Sequence, residues 1–299
     1  MQDVIAQRKN GEPSKVRPGV DNGMTLLRRL LGARKKTPPI ASPEAPAITL
    51  AQYESMIPVM TLHEGDTRVV FATPNTHTRF RADTFFSKEP DTVEWIRGFA
   101  PEDVLVDIGA NVGMYAIWAA KTRGIRVYAF EPESQNYALL YQNIVLNDLM
   151  DKVTGYCGAL SDEDSVSLLH LSLFVAGGSS HTFGSASDAN LQPRRSVYTQ
   201  GCFGTSLDAL VARGTLPVPT HVKIDVDGLE HKVIAGARAT LADRNVKSVL
   251  VEINTNLAEH RALVEQMQAL GFSYSEEAVA AAQRREGPLK GMGNYVFRR

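Results

Sequence analysis

The sequence predicts an α/β domain built on a doubly wound, mostly parallel, Rossmann-like sheet. Residues 104–130 give the first observation: an apolar strand that ends at Asp107, a turn of small residues, a helical spacing of apolar residues and a second strand. Two later stretches, 221–241 and 248–270, repeat the order of buried strand and amphipathic helix. Because helices that join parallel strands cross over the sheet, these units predict one open sheet with a ligand crevice at the carboxyl ends of its strands.

Composition is typical of a globular protein in a reducing compartment. The 299 residues are 43% hydrophobic with a net charge of −1, and Cys157 and Cys202 stand apart without a C-x-x-C or Cys/His cluster. This spacing argues against a disulfide framework and against a zinc site. No apolar run reaches the roughly 18 residues of a membrane span, and the first residues lack the apolar centre of a signal peptide. We therefore expect a cytoplasmic protein.

Residues 1–47 are predicted to form a disordered, basic amphipathic extension that ends in a Pro-rich linker. Within it, residues 24–36 place four leucines on one helical face against five basic residues. Two interpretations stay open: weak peripheral contact with an anionic membrane, or a short helix that packs on the domain edge or frays, which we favour. Residues 1–36 carry nine Lys and Arg against three Asp and Glu. The remaining chain therefore has a net charge of −7 and no basic footprint for nucleic acid.

Residues 48–100 are predicted to form N-terminal strands and a helix that caps the main domain. Alternating segments over 59–86, with turn residues at 63–66 and 74–75, indicate hairpin strands. A short helix is predicted over 91–98. The main domain then occupies residues 101–299.

The main domain continues with alternating strands and helices. In chain order the predicted elements are a helix over 133–147, strands over 153–160, 166–171 and 221–227, a helix over 228–241, a strand over 248–253, a helix over 257–270 and a closing antiparallel pair of 272–275 with 295–297. Residues 177–196 are polar, rich in Gly and Ser, and without a period. A loop of this length in a compact domain is typical of a binding loop or lid.

The loop after the first strand indicates which ligand the crevice binds. A dinucleotide fingerprint needs glycine where this chain has Asn111 and Met114, so NAD is not expected. What remains is an acid at the first strand's end, Asp107, a tight loop over 109–113, and an acid at the second strand's end, Glu131. Since one carboxylate can accept both ribose hydroxyls and the other suits an ammonium group, these match the two ends of S-adenosyl-L-methionine. Alternatively, Asp107 only caps the helix and Glu131 lies in an ordinary turn.

A second cluster of charges lies on the predicted fourth strand. Lys223, Asp225 and Asp227 share one face of a strand that should be buried, so Asp225 is expected to contact cofactor or substrate. The alternatives are a buried Lys–Asp pair for Asp225 and a helix cap for Asp227. His181 in the long loop and His63 in the early hairpin are further proton-transfer candidates, although a lone histidine is more often a polar surface group.

Five motifs follow one another in the main domain. They are DIGANVG at 107–113, FEP at 130–132, ALSD at 159–162, TSLD at 205–208 and KIDVDGLE at 223–230. With these motifs in this order, the chain resembles the FkbM family of S-adenosylmethionine-dependent class I methyltransferases over roughly residues 85–255. The resemblance implies a seven-stranded sheet whose last strand is antiparallel. Members mostly methylate hydroxyls of sugars, glycolipids or polyketide-like molecules, so it also implies a small-molecule or glycan substrate.

The resemblance and the strand ends together give a set of expected cofactor contacts. These are Lys88, Glu89, Thr92, Asp107, Gly109, Asn111, Gly113, Glu131, Pro132, Ala159, Leu160, Ser161 and Asp225. Asp225 and His181 are the expected catalytic residues, and no metal is expected. A rival is that Glu252 and Asn254, at the end of the fifth strand, join Asp225 as oxygen ligands of Mg²⁺. An N-methyltransferase and a non-catalytic binding module stay open as alternative functions.

Overall fold

The computed structural model describes residues 48–287 and 289–299. The chain divides into two units, residues 1–55 and 56–299, and the described part of the first unit contains helix α1 (Leu50–Ser55). The predicted disordered extension and linker over 1–47, with the basic leucine stretch 24–36, lie outside the described residues. Within the described ranges, no helix is long and apolar enough to cross a bilayer.

The second unit alternates strands and helices along most of its length. In chain order its elements are β1 (Val59–Glu64), β2 (Thr67–Ala72), α2 (Thr76–Asp83), α3 (Phe85–Lys88), α4 (Pro90–Arg97), β3 (Val104–Ile108), α5 (Met114–Arg123), β4 (Arg126–Phe130), α6 (Ser134–Leu146), β5 (Val153–Tyr156), β6 (Ala159–Leu160), β7 (Ser165–Leu171), β8 (Thr182–Phe183), β9 (Tyr198–Thr205), α7 (Leu207–Ala212), β10 (His221–Ile224), α8 (Glu230–Ala235), α9 (Arg238–Ala242), β11 (Ser248–Asn254), α10 (Ala258–Ala269), α11 (Glu276–Ala282) and β12 (Met292–Arg298).

The central sheet has the strand order β12-β11-β10-β3-β4-β5. Its neighbouring strands pair in parallel, except that β12 runs antiparallel to β11. Sequential strands β3, β4 and β5 run to one side, and the chain then returns to place β10 on the other side of β3. This reversal creates a switch point beside β3, and the mostly parallel α/β sheet confirms the predicted fold class.

The sheet has six strands among the described residues, not the seven that the resemblance implies. The predicted strand 153–160 divides, because the chain leaves the sheet after β5 and β6 then pairs with β9. The predicted strand 272–275 contributes only an isolated bridge between Ser273 and Arg298. It cannot extend further because Ser275 already caps helix α11.

Apolar side chains cover both faces of the central sheet. On one face, Leu105 and Val127 belong to a hydrophobic cluster with Trp118 of α5. On the other face, Val106 and Tyr128 belong to a second cluster, which includes side chains of α8, α9 and α10. Burial on both faces explains why β3 and β4 are nearly continuous apolar runs in the sequence.

Two predicted segments are wrong in type or length. The strand predicted after the turn at 74–75, up to residue 86, is replaced by helices α2 and α3, because the Asn75 side chain caps α2 by accepting a backbone N–H at 2.9 Å. Only β1 and β2 form an antiparallel pair in this region. The helix predicted over 228–241 breaks into α8 and α9 at Gly236, where a Cβ would overlap the carbonyl oxygen of Ser161.

A second sheet, in the order β6-β9-β7-β8, forms from the stretch between β5 and α7. Strand β8 lies inside the predicted loop 177–196, and β9 follows it without having been predicted. Strands β7 and β9 pair antiparallel along their length. The long loop is therefore fastened at both ends to an ordered sheet.

Candidate active site

A cavity of about 390 Å³ lies at the carboxyl ends of β3, β4, β10 and β11. Residues at or just after these strand ends line it, namely Gly109, Glu131, Asp225 and Glu252. Helix α2 and the loop 177–196 contribute further wall residues. A smaller cavity of about 50 Å³ shares part of this wall. In an open α/β sheet, this edge beside the switch point is where ligands bind.

Two glycines shape the loop after β3. Gly109 has a φ of +80°, and a Cβ on it would overlap the carbonyl oxygen of Asp225, so only glycine lets the two strand ends approach this closely. Gly113 has a φ of +83° and packs against helix α6, away from the cavity wall. Asn111 lies on the cavity wall and donates its backbone N–H to Glu131 at 2.8 Å.

The Glu131 carboxylate lies at the end of β4 on the cavity wall, and only 4% of the residue is exposed. It accepts the backbone N–H groups of Asn111 and Glu133 at 2.8 and 2.9 Å, and a side-chain N–H of Asn136 at 3.4 Å. Burial raises the pKa of Glu131 to about 7, although these donors oppose the shift. A carboxylate has about four acceptor sites, so Glu131 retains capacity for a ligand hydroxyl.

Most of the predicted cofactor residues meet at this cavity. Its wall contains Lys88, Glu89, Gly109, Asn111, Glu131, Pro132, Ala159, Leu160, Ser161 and Asp225. Gly113 and Thr92 lie outside the wall. Thr92 is fully buried and bonds to Glu89 at 3.4 Å and to Asn294 at 3.2 Å, which makes it a support for Glu89.

Asp107 is also placed behind the cavity wall, with 1% of the residue exposed. Neither of its carboxylate oxygens has a hydrogen-bond partner among the described residues, and the Nζ of Lys223 is 3.9 Å away. Burial raises the pKa of Asp107 to about 6, and the Lys223 charge opposes this shift. In this arrangement Asp107 faces Lys223 and lines neither of the two cavities.

Strand β10 ends at Ile224, three residues earlier than predicted, and the predicted end, Asp227, has a left-handed conformation with a φ of +58° that does not fit a strand. Asp225 lies just past the strand, on the walls of both cavities. The Nζ of buried Lys223 donates to its carboxylate at 3.1 Å. Burial alone would raise the pKa of Asp225, but Lys223 and Lys88 hold it below its usual range. Asp225 is therefore ionised at neutral pH.

Asp227 holds the long loop and does not cap the next helix. Its carboxylate accepts the backbone N–H of Ser180 at 2.7 Å, and helix α8 has no side-chain cap. At another point of the loop, Asn136 accepts the N–H of Gly177 at 2.7 Å and donates to the carbonyl of Gly178 at 3.1 Å. These contacts fasten the predicted binding loop against the cavity.

His181 lies on the cavity wall. Its ring is placed to donate a hydrogen bond and not to accept a proton as a base. Its Nδ1 accepts the backbone N–H of Ser172 at 3.3 Å, so the neutral ring carries its proton on Nε2. Burial, assisted by the charges of Arg194 and Arg81, lowers the pKa of His181 to about 4. The other proton-transfer candidate, His63, lies exposed on β1, away from both cavities.

Glu252 forms an acid pair with Asp225 across two strands. The register of β10 and β11 pairs Ile224 with Val251, so Asp225 and Glu252 occupy the next neighbouring positions, and both line the cavity. Burial and the charge of Asp225 raise the pKa of Glu252 to about 8. The guanidinium of Arg284, 3.1 Å from the Glu252 carboxylate, opposes the shift.

Asn254, named with Glu252 as an alternative Mg²⁺ ligand, is engaged with the loop. Its Nδ2 donates to Ala189 at 3.2 Å and to Asn190 at 2.9 Å, and its Oδ1 accepts from Asn256 at 2.9 Å. No group of three or more His, Cys, Asp or Glu side chains in the described ranges is arranged to hold a metal ion. Asn254 therefore acts as a loop support in this structure.

Sequence reasoning missed the part of the wall that helix α2 provides. His77, Phe80 and Arg81 line the cavity from a segment that was predicted as strand. The available signal was the capping box of Asn75 and Thr78, which marks a helix start. Arg284 was also missed, because its pairing with the end of β11 depends on the fold.

A doubly wound sheet with a glycine loop after its first central strand and an acid after the next is the arrangement of the Rossmann-like class of nucleotide- and cofactor-binding domains. The family profile described as "Methyltransferase FkbM domain" matches residues 107–274, which is more than half of the chain. The chain belongs to this family, and the resemblance predicted from the motifs is confirmed.

Two relatives and one solved structure are similar to this chain. Hexuronic acid methyltransferase AglP of Haloferax volcanii is 29% identical over 174 residues, which span 56% of this chain and 64% of the relative. The 31-O-demethyl-FK506 methyltransferase FkbM of Streptomyces tacrolimicus is 28% identical over 218 residues, spanning 62% and 83% of the two chains. The crystal structure of methyltransferase FkbM from Methylobacillus flagellatus is 16% identical with a TM-score of 0.43, covering 67% of this chain and 44% of that one.

Proposed function

We propose that this protein is an S-adenosyl-L-methionine-dependent methyltransferase that acts on a hydroxyl group of a sugar, glycolipid or polyketide-like molecule. The main support for this proposal is the cavity, whose wall contains the buried Glu131 at the end of β4 together with Asp225 and Glu252 at the ends of β10 and β11. Its volume lies in the range of small-molecule sites, about 300–1,000 Å³. The substrate class is supported by two relatives, one named for hexuronic acid and the other for a 31-O-demethyl compound.

The residues present fit this cofactor. Glu131 accepts three N–H groups and has acceptor capacity left for a ribose hydroxyl. Pro132 and the stretch 159–161 follow the neighbouring strands β4 and β5 and line the cavity beside it, where the adenine would lie. Gly109 lines the cavity and lets the ends of β3 and β10 lie close together, because a Cβ there would overlap the carbonyl oxygen of Asp225. When bound, the cofactor supplies an electrophilic methyl group on a sulfonium.

Asp225 and Glu252, the acid pair on the cavity wall, would contact the hydroxyl group that receives the methyl group. The single proton of the hydroxyl would pass to Glu252, and Asp225, kept ionised by Lys223, would orient the acceptor molecule. Glu252 is the better matched base, because a general base works best with a pKa near the operating pH. His181, with its proton on Nε2, would donate to an acceptor oxygen. The loop 177–196 would exclude water from the reacting groups.

Methyl transfer from cofactor with a ¹³C-labelled methyl group tests the proposal. Purified protein is incubated with a panel of uronic acids, glycolipids, polyketide lactones and amines, and products are identified by mass and NMR. We expect a labelled methyl ether, with turnover about a hundredfold lower in Asp225→Asn because the acceptor would no longer be held in position. The control Asp151→Asn changes an exposed acid near the opposite end of β5 and should keep full turnover. A labelled amine would favour N-methylation, and cofactor binding without any product would favour a binding module.

A further inference from the structure

A helix that precedes the family domain also lines the candidate site. The family profile begins at residue 107, whereas Arg81 lies on α2 and is on the walls of both cavities. We propose that Arg81 binds the α-carboxylate at the methionine end of S-adenosyl-L-methionine, so that residues 59–100 complete the cofactor site. The inference rests on the proposed function and assigns a residue that the family match does not cover.

Arg81 is anchored by one hydrogen bond and keeps its remaining donors. Its Nε donates to the carbonyl oxygen of Gly177 at 2.9 Å, which holds the guanidinium between α2 and the loop. Among the described residues, neither terminal nitrogen has a hydrogen-bond acceptor, and no carboxylate lies within 4.0 Å of the guanidinium. A fixed guanidinium with two parallel donors left over is the protein group best matched to a carboxylate.

The other Lys and Arg side chains on the two cavity walls, within the described part of the chain, already have carboxylate partners. These pairs are Lys88 with Glu89 at 3.0 Å, Lys223 with Asp225 at 3.1 Å, and Arg284 with Glu252 at 3.1 Å. Of these side chains, Arg81 alone has no carboxylate partner among the described residues, so an entering anion meets no competing carboxylate there. Arg81 is therefore the cation available to it.

The wall that the two cavities share indicates where the amino-acid end of the cofactor falls. Glu131 and residues 159–161, proposed above for the adenosine, line only the larger cavity. Arg81, Glu89 and Asp225 line both cavities. A zwitterion placed at this shared wall would meet the guanidinium of Arg81 with its carboxylate, and its ammonium group would lie beside the carboxylate of Glu89, which has acceptor sites besides the one that Lys88 uses.

Two ligands that differ only in the amino-acid end separate this role from others. S-adenosylhomocysteine carries the α-carboxylate, and 5′-methylthioadenosine lacks the whole amino-acid portion. Calorimetric titration of both ligands is made with the wild type, Arg81→Met and Arg81→Lys. The control is Arg79→Met, which removes an exposed arginine of the same helix that pairs with Asp83. Unfolding in urea checks that each variant is folded.

In Arg81→Met, we expect S-adenosylhomocysteine to bind at least tenfold more weakly and 5′-methylthioadenosine to bind as in the wild type, because a charge-assisted bidentate contact is lost. Arg81→Lys should lie between the two, and Arg79→Met should match the wild type. Equal weakening of both ligands would overturn the inference, since Arg81 would then act by holding Gly177. Unchanged binding of both ligands would also overturn the inference. Arg81 would then be assigned to an anionic group of the methyl acceptor. If neither ligand binds the wild type, the proposed function itself fails.

Discussion

Gly109 lies where the ends of β3 and β10 meet, and replacing it with alanine should damage both the fold and the cofactor site. Its φ of +80° is a left-handed conformation that costs an L-residue roughly 1–2 kcal/mol. The new Cβ would also overlap the carbonyl oxygen of Asp225 and lie 2.9 Å from its carbonyl carbon. Such overpacking against backbone typically costs about 1–3 kcal/mol. We therefore expect Gly109→Ala to lose about 2–5 kcal/mol of unfolding free energy in urea.

A second glycine provides the matched control for this substitution. Gly124 ends helix α5 with a φ of +72°, but a Cβ there would meet nothing within 4 Å. Gly124→Ala should therefore lose only the conformational part, roughly 1–2 kcal/mol, and keep wild-type affinity for S-adenosylhomocysteine. Gly109→Ala should bind this ligand at least tenfold more weakly, because its strand ends must move apart. Equal unfolding free energies and equal affinities in the two variants would refute the close approach of Gly109 and Asp225.

Three further predictions concern the ribose contact, the base and the N-terminal stretch. Glu131→Gln removes the charge of the proposed ribose acceptor, so calorimetry should show at least tenfold weaker binding of S-adenosylhomocysteine; wild-type affinity would remove this assignment, and NAD should not bind either protein. Because the pKa of Glu252 is raised to about 8, its proton-accepting form grows as the pH rises through 8. The rate of methyl transfer should therefore fall below about pH 8 in the wild type, and a profile without this fall would argue against Glu252 as the base. If residues 24–36 contact anionic membranes, the full chain should sediment with phosphatidylserine liposomes at low salt, and a chain beginning at Ala47 should not. Equal sedimentation of the two chains would exclude the contact.

The central sheet was predictable because its signals are local in sequence. Strands β3 and β4 are buried on both faces, so each one is a short apolar run closed by a turn or an acid. Strand β9 was not predictable in this way, because Gly201 and Gly204 weaken its strand propensity. Its place depends on pairing with β7 and on the Phe183 ring, which fills the space that a Cβ of Gly204 would need.

The candidate site likewise contains residues that could be predicted from the sequence and residues that could not. Gly109, Glu131 and Asp225 were found because each follows a strand whose carboxyl end must face the crevice. Asp107 also lies at a strand end, yet its side chain points towards buried Lys223. The spacing of residues in the sequence does not predict that side-chain direction. Arg81 was missed because its approach to the cavity depends on how an N-terminal helix packs on the domain.

A crystal structure with S-adenosylhomocysteine would show most directly whether the cavity at the carboxyl ends of β3, β4 and β10 holds the cofactor. We expect ligand density in the 390 Å³ cavity, with a ribose hydroxyl within hydrogen-bond distance of Glu131 and the adenine beside Leu160. Density at another surface, or a ribose with no contact to Glu131, would contradict this expectation.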